Sequence, residues 1–147
     1  MYPVGRLDYQ SEGLLLLTND GEFSHLILRG GHRAPKTYLV KINGTPSAAD
    51  LERFREGVVL DGRRTLPAQI RPAGRAAANP WFQVTLVEGR PNQIRRMFHR
   101  MGFLVEKLKR VQVGPLSLGS LKPGECRSLT PPEVVQFRRL MRMKKTA

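Results

Sequence analysis

The chain has 147 residues, a length that fits one domain able to bury a real core, and its 40% apolar and 25% charged residues exclude a disordered tail. Against 12 Asp+Glu stand 25 Lys+Arg, a formal net charge of +13 that makes a polyanion the expected partner. No run approaches the roughly 20 apolar residues of a bilayer span, the N-terminus does not read as a signal peptide, and the single cysteine, Cys126, excludes an intramolecular disulfide.

In chain order, the first feature is Asp8, within Gly5-Arg6-Leu7-Asp8-Tyr9-Gln10-Ser11-Glu12-Gly13 and just ahead of Leu14 to Leu17. The leucine run is expected to be a buried strand or core segment. Asp8 then sits at the mouth of a core, as a site carboxylate or as a turn aspartate that satisfies backbone donors. Asp20 is expected to cap a helix through Phe23, Leu26 and Ile27 that ends at Gly30-Gly31. Thr37 to Ile42 reads as a strand. Ser47 and Asp50 form a capping-box pattern for a second helix closed by Gly57. Val58 to Leu60 and Gln69 to Arg71 read as short strands on either side of the turn pair Asp61-Gly62, and Arg75 to Pro80 as a flexible loop.

Trp81 to Val87 reads as a strand, followed by a helix opened by Asn92 and stopped by Gly102. In that helix Ile94, Met97, Phe98 and Met101 recur at helical spacing, and its other side is basic. Between Gly89 and Arg110 there are seven Lys+Arg against one acid, Glu106, a run that fits a solvated face or RNA contact. Leu104 to Val113 supplies one or two strands, Pro123-Gly124 a turn, and Cys126 to Leu129 a further strand. The last helix carries the clearest start signal, Thr130-Pro131-Pro132-Glu133, with Val134, Phe137, Leu140 and Met141 as its buried face and a basic tail through Arg138, Arg139, Arg142, Lys144 and Lys145. The fold class is therefore α+β, with a mixed, mainly antiparallel sheet flanked by helices. His25, His32 and His99 are expected at the surface or on phosphate, and no Cys/His cluster has metal-ligand spacing.

Gly5-Arg6-Leu7-Asp8, the leucine run and Thr18-Asn19-Asp20-Gly21 occur in order with Lys36-Thr37-Tyr38-Leu39-Val40, with Glu88-Gly89-Arg90-Pro91-Asn92-Gln93-Ile94-Arg95-Arg96-Met97, and with Gly114-Pro115-Leu116-Ser117-Leu118-Gly119. This set resembles the signature of the RNA pseudouridine synthases, in particular the branch that modifies ribosomal RNA, and the likeness runs from Tyr2 to about Leu140. It implies isomerisation of uridine to its C-glycoside with a catalytic aspartate, a flipped-out base and neither metal nor redox cofactor. Asp8 matches the catalytic aspartate, as acid/base or nucleophile. Tyr38 matches the tyrosine that stacks on the uracil, Arg95 the basic residue that pairs with the aspartate, and Leu108 an aliphatic wall. Arg6 and Arg110 are expected as phosphate or framework contacts.

The expected partner is ribosomal RNA, leaning to the large subunit, or a ribosome assembly intermediate. A monomer in a reducing, cytoplasmic setting is expected, with no membrane and no small-molecule cofactor as partner. Because such enzymes carry an S4-type RNA-binding module and further residues ahead of the Gly-Arg-Leu-Asp motif, residues 1–147 are expected to be an N-terminally truncated catalytic domain, with Met1 an internal methionine or the gene shortened. A non-catalytic basic RNA-binding protein is the rival expectation.

Overall fold

The computed structural model describes residues 1–28, 34–74 and 80–146. In chain order the elements are β1 (Tyr2–Pro3), β2 (Glu12–Gly13), β3 (Leu17–Thr18), α1 (Gly21–Leu28), β4 (Lys36–Ile42), α2 (Ala48–Glu56), β5 (Val59–Leu60), β6 (Arg63–Arg64), β7 (Gln69–Ala73), β8 (Trp81–Leu86), α3 (Gln93–Arg100), β9 (Val105–Val113), β10 (Leu116–Ser117) and α4 (Pro131–Thr146). The central sheet runs β10-β9-β4-β8-β7, antiparallel throughout, and β2 adds the one parallel pairing among the described strands, against β9.

Alternation explains the sheet. On β8, Phe82, Val84 and Leu86 are buried while the residues between them are not, so every second side chain faces the core. From α3 come Ile94, Met97 and Phe98, all buried, and from α2 Phe54, whose ring lies 4.8 Å from that of Phe98. With Val40, Ile42 and Leu108 these residues form one core cluster. A second cluster, around Val4, Leu16, Phe23, Ile27, Leu116, Phe137 and Met141, seats α1 and α4 at the other end of the molecule, with Phe23 and Phe137 packed edge to face at 5.4 Å.

The expected helix starts form. Asp20 Oδ1 accepts from the backbone N–H groups of Glu22 (3.1 Å) and Phe23 (3.1 Å), Ser47 and Asp50 make both bonds of a capping box, and Thr130 and Glu133 do the same for α4. Asn92 precedes α3 as expected, but at φ 51 its side chain makes no cap; the Gln93 side chain instead accepts from the Arg90 N–H at 3.1 Å.

Several expectations are corrected. Leu14 to Leu17 is not a continuous buried strand: only Leu16 is buried in the core, with Leu14 packed against the second cluster, while Leu15 and Leu17 are 40% and 54% exposed, and only Leu17 of the run lies in a strand, β3. Across Asp61-Gly62 the partner of β5 is Arg63–Arg64, while residues 69–73 belong to the central sheet beside β8. Cys126 to Leu129 forms no strand; its neighbourhood is fixed by side chains, with Arg127 held on Glu133 at 2.8 and 2.9 Å, and β10 is the short strand instead. Leu104 to Val113 is a single strand from Val105. The expected stop at Gly30-Gly31, His32 and the loop over 75–79 lie outside the described residues. Among the described residues no helix is long and apolar enough to cross a membrane.

Candidate active site

Between Val4 and Leu16 the chain leaves the second core cluster, loops out and returns. Backbone bonds from Val4 N–H to the Leu16 carbonyl and from Leu14 N–H to the Arg110 carbonyl, both 2.8 Å, close the base of this loop. β2 joins β9 so closely at Gly13 that a Cβ there would stand 2.1 Å from the Arg110 carbonyl oxygen, which only glycine avoids. At the tip, the Ser11 N–H bonds the Asp8 carbonyl at 2.9 Å, turning the chain so that Asp8 and Ser11 face the sheet while Tyr9 is fully exposed.

Arg6, Asp8, Tyr38 and Leu108 line one small cavity under that loop, together with Ser11, Glu88 to Arg90, and Gln93 and Ile94. Tyr38 sits on β4 opposite Val84 of β8 and Arg110 of β9, and Leu108, two residues before Arg110, shares its face. Burial pushes the Tyr38 phenol above its ordinary range; the neighbouring Arg110 guanidinium opposes that rise, and the Asp8 charge adds to it.

Of the three arginines, Arg95 departs from expectation. Arg95 does not pair with Asp8: its two Nη atoms donate to the carbonyl oxygens of Gln10 (2.9 Å) and Val105 (3.2 Å), and Asp8 makes no ion pair among the described residues. The turn from Asp8 to Ser11 leaves a carbonyl without a ladder partner, and the forked guanidinium takes it. Arg95 thus ties the loop to β9. Arg110 is 3% exposed and its Nε donates to the Leu14 carbonyl at 2.8 Å, which ties β9 to the leucine run beside Tyr38. Arg6 is exposed at the cavity rim.

Two groups lacked a sequence-level role. Glu88 accepts from the Leu66 N–H and from Gln93 Nε2, both at 2.8 Å, and Arg90 donates to the carbonyls of Leu60 and Arg63, so the Glu88-to-Gln93 stretch fastens the β5–β6 hairpin to the head of α3. The Ser11 hydroxyl oxygen is buried without a hydrogen-bond partner among the described residues, and it faces the cavity. A buried polar atom left unpaired calls for an explanation, and a bound ligand supplies one. Only its place three residues after Asp8 marked it in the sequence. The cavity has room for about 40 Å³, close to the roughly 30 Å³ share of one water.

A family model described as RNA pseudouridylate synthase matches residues 1–100. The ribosomal large subunit pseudouridine synthase B of Bacillus subtilis (strain 168) is 41% identical over 142 residues, covering 95% of this chain and 58% of that protein. The ribosomal large subunit pseudouridine synthase E of Vibrio parahaemolyticus is 38% identical over 143 residues, covering 88% and 60%. A crystal structure described as a pseudouridylate synthase superposes with a TM-score of 0.83 at 36% identity, over 92% of this chain and 58% of the other. The chain thus spans about 60% of the length of the curated relatives it matches.

Proposed function

This chain belongs to the RNA pseudouridylate synthase family, and on that premise we propose that its residues form the catalytic portion of an enzyme that isomerises uridine to pseudouridine in large-subunit ribosomal RNA. The observation that carries the reading is the convergence of Asp8, Tyr38 and Leu108, from three separate segments of the chain, on one cavity.

The reaction breaks the bond from C1′ to N1, turns the uracil within its pocket and joins C5 to C1′; the C5 proton leaves and N1 is protonated. Atoms balance without oxidant or reductant. A carboxylate at the ribose serves the glycosidic step, as nucleophile or as base, and Asp8 has its side chain free of hydrogen bonds and ion pairs among the described residues. Tyr38 and Leu108 supply the flat and the aliphatic wall that a flipped base needs, and the same walls keep water from the intermediate. Arg95, through Gln10, fixes the loop that carries Asp8, a positioning role.

The test is a nucleoside digest of unmodified ribosomal RNA after incubation with the protein. Pseudouridine formed by the native chain and lost in Asp8→Asn is the expected result. RNA binding with no pseudouridine from the native chain would move the protein to the non-catalytic class.

A further inference from the structure

On the far side of the Asp8 loop lies a second, larger groove of about 670 Å³. The loop is the partition: Asp8 and Ser11 line the small cavity, and Gln10, between them in sequence, lines the groove. From α3 the groove receives Arg95, Arg96, His99 and Arg100, the basic side of a helix whose other side is core, and Leu104 adds an apolar surface that is 58% exposed. A cationic trough with an apolar shelf is the arrangement that single-stranded nucleic acid takes, with phosphates on the charges and a base on the shelf.

The groove also holds one anion. Asp61 stands at the tip of the β5–β6 hairpin, where φ of 53 at Asp61 and 74 at Gly62 describe a type I′ turn, and its Oδ1 lies 2.7 Å from Arg96 Nη2. Both side chains are open to water, at 73% and 36% exposure, so the pair is one that a competing anion can displace.

We propose that this groove seats the phosphodiester strand that continues from the target uridine, and that the Asp61 carboxylate holds the place on Arg96 that a phosphate takes when RNA binds. The inference rests on the RNA-modifying reading above and extends it to the contacts flanking the cavity. Asp61 then acts as a latch: it weakens binding of any strand that cannot displace it.

Fluorescence anisotropy with a fluorescein-labelled 12-nucleotide oligouridylate, titrated with the whole chain from 50 to 200 mM salt, tests this. Arg96→Ala and Arg100→Ala should each remove about 0.7 from the salt slope, so that each loses affinity over that range about threefold less steeply than the native chain. Arg53→Ala, which removes an equal charge on α2 outside the groove, should leave the slope unchanged. Asp61→Asn keeps a residue suited to the left-handed turn and should tighten binding by up to about fivefold, an effect that vanishes when Arg96 is already alanine. Equal slopes for all three arginine variants, or a tightening by Asp61→Asn that persists without Arg96, would overturn the proposal. Pseudouridine formation by the native chain, read in parallel, separates the two claims. Product with indifferent groove variants sinks the groove alone, whereas altered slopes without product keep the groove and sink the isomerase.

Discussion

At the scale of single residues, the Ser11 hydroxyl is the most exposed to test. Asp8 has a role that the motif suggests, but Ser11 is a buried polar atom without a partner beside it. If a bound uridine completes its hydrogen bonding, Ser11→Ala should raise KM by roughly fivefold to tenfold, equivalent to a net hydrogen bond of about 1 kcal/mol, with little change in kcat. Unchanged steady-state kinetics would remove Ser11 from the site. Its hydroxyl could not be singled out from sequence, since a serine in a Gly- and Asp-containing loop ordinarily serves the turn. The same limit applies to Arg95. Its motif marked it as a partner for the aspartate, but which acceptor a guanidinium takes depends on carbonyls that the folded loop leaves open, and here those are Gln10 and Val105.

Among elements, the helix starts were legible because a cap is a local interaction over four residues, and Asp20, Ser47 and Thr130 each carry it. Strand partners were not, since pairing is decided by distant segments: Arg63–Arg64 offered no apolar alternation, and Cys126 to Leu129 found no edge to join. Two predictions belong here. At the start of α4, Arg127 and the Thr130 backbone hold the Glu133 carboxyl to about 2 against an ordinary 4.5. Because the folded value is the lower one, the contribution is complete above about pH 4.5 and is lost as pH falls toward 2. The melting temperature of Glu133→Gln should therefore lie below that of the native chain at neutral pH and converge with it on acidification; parallel curves down to pH 2 would contradict the assignment. On β2, Gly13→Ala meets the Arg110 carbonyl and must push the strand off β9. Activity should fall at least tenfold while the main far-UV circular dichroism signal persists, because the Asp8 loop shifts while the central sheet stays; retained activity would show that the β2–β9 contact does not set the loop.

Over the whole molecule, the formal +13 dominates. Part of that charge is committed inside the structure: Arg90, Arg95 and Arg110 bond backbone carbonyls, and Arg53, Arg55, Arg96, Arg127 and Arg138 meet acids. Composition pointed to a polyanion but not to this division. RNA affinity should fall steeply with salt, each phosphate contact adding about −0.7 to the slope on a single strand, and a flat dependence would speak against RNA as the ligand. The most direct check on the account is tritium release from ribosomal RNA carrying 5-tritiated uridine, run side by side with the native chain and Asp8→Asn. Isomerisation at the Asp8 cavity predicts release by the native chain and none by the variant, with both binding the RNA; equal release from the two would contradict Asp8 as the catalytic group and with it the site.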